Sequence, residues 1–76
     1  MTNGPTARGL QAADDYEQVA ERLELAARHL RRTAEHFRGG EVPRACAHVV
    51  AAEGLLSETR RGLDSLAEVH ASVSDV

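Results

Sequence analysis

Histidine is the reactive side chain that this chain carries in number, at positions 29, 36, 48 and 70. An imidazole titrates near neutral pH and is a common transition-metal ligand, so two of them on facing helices could share a metal ion or repel when protonated. His29 and His36 lie one heptad apart, and if the chain doubles back at Gly39-Gly40, His48 comes level with His29 on the same flank. His29 and His48 are therefore the predicted metal pair, with solvated flank histidines as the simpler alternative. A metal centre in a bundle core also draws on carboxylates at Glu-x-x-His spacing, and no histidine here has a glutamate three residues before it. His70, late in the second half, reads as a partly buried, hydrogen-bonded residue near a helix end.

The single thiol, Cys46, falls where a helix dipole favours thiolate, but nucleophilic catalysis needs a positioned base. His48 points to a different helix face, so packing beside Ala34 is predicted for Cys46. Arg28, Arg31, Arg32, Arg38 and Arg44 crowd one stretch of sequence and could contact an anion, although an arginine-rich second half of a helix also complements the macrodipole. No catalytic residue and no cofactor follows from these groups, and the chain reads as non-enzymatic.

The elements that must position these side chains are written in two apolar stripes. Tyr16, Val19, Leu23, Ala26, Leu30, Thr33 and Phe37 alternate steps of three and four, as do Val42, Ala45, Val49, Ala52, Leu56, Thr59, Leu63, Leu66, His70 and Val73. Such steps place one narrow line along a helix. Reversal at Gly39-Gly40 pairs Thr33 with Ala45, Leu30 with Val49, Ala26 with Ala52, Leu23 with Leu56, Val19 with Thr59 and Tyr16 with Leu63. The expected architecture is all-α, an antiparallel two-helix hairpin. Residues 1–9, with Asn3, Gly4, Pro5 and Gly9, suit a flexible arm, and the hairpin occupies 10–76. Helix 1 is expected over about 13–38, opened by Asp14 and Glu17 in capping-box spacing; Leu10 adds a turn if Val69 offers it a partner. A turn over 39–42 leads to helix 2 over about 43–72, with Pro43 in its first turn.

Seventy-six residues bury little apolar surface, and one cysteine rules out an internal disulfide, so self-association is the expected supplement to the core. Ala20, Ala27 and Ala34 recur every seven residues beside the first stripe, and Ala47, Ala51 and Gly54 form a small-residue strip on helix 2. The segment from Ala45 to Leu56, including Val50 and Leu55, is apolar almost all round, which a single partner helix cannot cover. These residues are the predicted interface of a homodimeric four-helix bundle. Charge suggests its polarity. Residues 28–44 carry five arginines against Glu35 and Glu41, net +3; residues 10–24 carry five acids against Arg22, net −4; residues 53–75 carry five acids against Arg60 and Arg61, net −3. Head-to-tail packing sets each basic tip beside its partner's acidic end.

A formal charge of −3 and only two aromatic residues, Tyr16 and Phe37, argue against a nucleic-acid binder. No apolar run reaches the length of a membrane span or a signal peptide, so a cytoplasmic protein with a reduced thiol is expected.

Three short resemblances accompany this reading. Ala47-His48-Val49-Val50 resembles the start of the histidine phosphotransfer motif, with Ala51-Ala52 in place of that family's Lys-Gly; the resemblance implies phosphate acceptance on His48. His29-Leu30-Arg31-Arg32-Thr33 is similar to the histidine kinase H-box, without its acidic neighbour and proline. Phe37-Arg38-Gly39 resembles the Trp-x-Gly turn of the WXG100 proteins, with phenylalanine for tryptophan, and implies a secreted helical hairpin. The regular features nonetheless serve helix packing. The expected function is a small adaptor, regulatory or assembly protein that binds itself and another protein, with a histidine-centred function as the alternative.

Overall fold

Thr6 opens the first helix. Its hydroxyl accepts a hydrogen bond from the Gly9 amide at 3.0 Å and its carbonyl accepts one from Leu10 at 2.9 Å, which satisfies donors that a helix start leaves orphaned. From this cap α1 runs Ala7–Arg38, and α2 runs Val42–Ser74. The computed structural model describes residues 4–74, with side chains as far as residue 72. Of the arm expected over 1–9, residues 1–3 lie outside the described residues and 7–9 are helical. Asp14 and Glu17 sit well inside α1, because Thr6 offers an earlier cap. Leu10 and Val69 are 56% and 60% exposed, and the Thr6 cap opens the extra turns.

The reversal is a Schellman motif. The Gly40 amide donates to the Phe37 carbonyl at 3.1 Å and the Glu41 amide to the His36 carbonyl at 2.8 Å, the paired bonds that close a helix C-terminus. Gly40 holds φ at +73°, a left-handed value that costs a residue with a Cβ. The side chains over this motif are polar: His36 Nδ1 lies 3.1 Å from Glu41 Oε1 where an apolar contact often sits. The Glu41 carbonyl then accepts from the Ala45 amide at 3.0 Å, and α2 begins. Pro43 falls in its first turn, where no intrahelical partner for its missing N–H exists.

The two helices form an antiparallel hairpin, in the register expected from the stripes. Thr33 Oγ1 reaches the Ala45 carbonyl across the seam at 3.4 Å, and His29 meets His48 one step away. Yet among the described residues only one heptad position of each helix is buried. Val19, Ala26 and Thr33 on α1 and Ala45, Ala52 and Thr59 on α2 make the enclosed line. Small residues there let the helices approach closely, and the larger residues beside them cannot enter. Tyr16, Leu23, Leu30, Phe37, Val42, Leu56 and Leu63 remain 38–51% exposed, and no large side chain among the described residues is fully enclosed. The stripes pair in register, but the leucines border the seam instead of filling it.

The result is a rod, with principal extents of 62 × 21 × 13 Å and a radius of gyration of 17.6 Å. A globular chain of this length has a radius of about 11 Å. Among the described residues no helix is long and apolar enough to cross a membrane.

Candidate functional site

Helical geometry sorts the side chains around the buried line. At about 100° per residue, Leu23 and Leu30 fall on one flank of Ala26 and His29 on the other. On α2 the corresponding split puts Val49 and Leu56 on one flank of Ala52 and His48 and Leu55 on the other. In an antiparallel pair like flanks meet, so the hairpin has a leucine face and, behind it, a histidine face.

The histidine face is built at the tip. His29 Nδ1 and His48 Nδ1 are 2.9 Å apart, a hydrogen bond between α1 and α2 in which one ring donates and the other accepts. His36 stacks on His48 as well, with ring centroids 5.2 Å apart and planes at 14°. His36 in turn meets Glu41 Oε1, and Arg44 Nη1 donates to Glu41 Oε2 at 2.9 Å. The cluster is thus a chain from His29 through His48 and His36 to Glu41 and Arg44. His29, His36 and His48 are half-buried. Partial desolvation, then the neighbouring charges of His29, His36 and Arg32, hold the His48 pKa below the usual histidine value. The hydrogen bond from His36, then the Arg44 charge, holds the Glu41 carboxyl below the usual carboxylate value.

The structure therefore brings the predicted metal pair together. The two nitrogens face each other along a hydrogen bond, and among the described residues no group of three or more His, Cys, Asp or Glu is placed to hold a metal ion. Glu41 and His36, absent from the predicted pair, belong to the same cluster. The turn geometry that joins them was the missed signal: the two residues flanking a Schellman motif are neighbours in space.

On the leucine face, Tyr16 reaches past its register partner Leu63 to His70, two turns along α2. Its hydroxyl lies 2.7 Å from His70 Nδ1, and His70 is half-buried. The predicted interface residues divide between surfaces. Ala20, Ala27 and Ala34 border the leucine face, the first exposed and the others half-buried, while Ala47, Val50, Ala51, Gly54 and Leu55 lie around the other flank and back of α2. Cys46 is exposed, not packed: Ala45 takes the seam and leaves the next residue about 100° round the helix. Arg28, Arg31, Arg32, Arg38 and Arg44 are all exposed, Arg32 bonded to Glu35 at 3.3 Å and Arg44 to Glu41, so two of the five are already neutralised locally. At the open end a groove of about 360 Å³ lies between Arg8, Ala12 and Asp15 of α1 and Leu66, Val69 and His70 of α2.

No known family model, curated protein or solved structure matches the chain.

Proposed function

We propose that the hairpin is a non-enzymatic protein-interaction module, a small cytoplasmic adaptor, regulator or assembly protein, that works as a homodimer. Two hairpins close their leucine faces against each other, head to tail, as a four-helix bundle. The observation that carries this reading is the half-exposed row of Tyr16, Leu23, Leu30, Phe37, Val42, Leu56 and Leu63 along one side of the rod. Seven large apolar side chains in one contiguous row mark a contact surface, whereas single exposed leucines do not.

Area and charge support a second copy as the occupant. The hairpin exposes 5971 Å², against about 4,500 Å² for a compact monomer of its mass. That excess exceeds the roughly 800 Å² per partner which a stable interface covers. The basic tip and acidic open end favour the head-to-tail orientation. Ala20, Ala27 and Ala34 extend the same face with side chains small enough for close approach. The strip from Ala47 to Leu55 stays outside this interface and is the surface left for another protein.

Light scattering tests the reading directly. The expected mass is twice the 8.2 kDa of the chain, and Leu30→Glu is expected to give monomer with reduced helicity, since it sets a charge in the middle of the face. Val50→Glu, on the back of α2, leaves the mass unchanged. A wild-type monomer that is fully helical overturns the homodimer and assigns the leucine face to a different protein.

A further inference from the structure

The histidine cluster crosses the seam at the one end where the chain joins its two helices, and it lies on the side of the rod away from the leucine face. We propose that the His29–His48 bridge is a proton-sensitive latch on the hairpin tip, closed while at most one of the two rings is charged and open when both are. This goes beyond the interaction reading and does not depend on it.

The chemistry follows from the two atoms in contact. With both rings neutral, an Nδ1–H on one donates to the bare Nδ1 of the other, and the 2.9 Å separation fits that bond. One added proton leaves an imidazolium donating to an imidazole, a charge-assisted bond that is stronger than the neutral one. A second proton removes the acceptor. Two N–H groups, each on a cation, then face each other at a distance suited to a single hydrogen, and the rings must separate. The two protons therefore bind in coupled steps, the second with difficulty.

The surroundings oppose that second proton. From α1, Arg32 and His36 face His48 together with His29; from the turn and α2, Glu41 and Arg44 stand behind His36. The acid nearest the cluster, Glu41, is engaged by His36 and Arg44, and Glu35 is engaged by Arg32, so neither carboxylate is free to compensate a second charge at the bridge.

The sign of the effect is set by linkage. An unfolded histidine binds its proton near pH 6.5, more readily than the doubly charged pair does, so the bridge contributes stability above that value and loses it as pH falls through the lower folded-state value. Glu41 has its own folded-state pKa below the usual carboxylate value, so its contribution persists until the pH is lower still.

The experiment uses the full chain in EDTA. Imidazole nitrogens are followed by NMR from pH 8 to 5, and melting is recorded by circular dichroism at pH 8.0 and 5.5. The His48 midpoint is expected to lie below the ordinary histidine value, and the melting temperature is expected to fall by roughly 4 °C. In His29→Gln, the His48 midpoint is expected to rise toward the ordinary value. In the His29→Gln, His48→Gln double variant, most of the fall in melting temperature is expected to disappear. A His48 midpoint at the ordinary value overturns the latch, as does an undiminished pH response in the double variant. The ring titrations are read on the unmodified chain, so the test stands even if a variant folds poorly.

Discussion

Two threonines occupy the same kind of place in the seam and meet different fates. Thr33 Oγ1 donates to the His29 carbonyl one turn back at 3.0 Å, with the Ala45 carbonyl of the facing helix beyond it. Thr59 is 2% exposed and its hydroxyl has no hydrogen-bond partner among the described residues. A buried polar group without a partner carries a desolvation cost of about 1–3 kcal/mol, which a methyl of the same shape does not. Thr59→Val is therefore expected to stabilise the hairpin by about 1 kcal/mol, and Thr33→Val to lower its stability; urea unfolding followed by circular dichroism measures both. The proton latch belongs to this scale as well, since its whole effect rests on the protonation of two nitrogen atoms.

At the scale of elements, each helix end is defined by a few hydrogen bonds, and the two glycines of the turn have separate roles. Gly40 carries the left-handed conformation, with no atom close enough to hinder an added Cβ, so Gly40→Ala costs only the backbone strain, about 1–2 kcal/mol. Gly39 holds φ at −87°, and a Cβ there meets Glu41 Oε1 at an ordinary 3.5 Å. Gly39→Ala is expected to be neutral or stabilising by about 0.5 kcal/mol, because it restricts the unfolded chain without straining the fold. Denaturant midpoints of the two variants should move in different directions, and equal destabilisation by both would contradict the roles assigned to them. The same turn explains why the histidine cluster forms at the tip: the Schellman bonds bring His36 and Glu41 together, and the first two turns of α2 deliver Arg44 and His48 to the same flank.

The whole molecule is defined by what the hairpin leaves uncovered. Among the described residues four small or medium apolar residues and two threonines are buried, a small core to set against the conformational entropy of two long helices. In the homodimer proposed above, a second hairpin on the leucine face would supply further burial, and stability would then depend on protomer concentration. The melting temperature of the wild-type chain is expected to rise over a hundredfold increase in concentration, while that of Leu30→Glu does not. A concentration-independent transition at high temperature would mean that the rod is stable alone.

Much of this was legible in the residues themselves. Steps of three and four required two helices, Gly39-Gly40 required the reversal between them, and together these set the register that brings His29 level with His48. Local rules suffice there, because helical periodicity and glycine conformation act over a few residues. Other features were decided only in three dimensions. Which stripe position is enclosed depends on how closely two backbones approach, and the alanines at 26, 45 and 52 bring them near enough to leave Leu23, Leu30, Leu56 and Leu63 at the border. The start of α1 depended on Thr6 capping in preference to Asp14, a competition between two acceptable caps. The joining of His36 and Glu41 to the histidine bridge depended on the geometry of a turn, and the spacing of those residues along the chain does not carry that information.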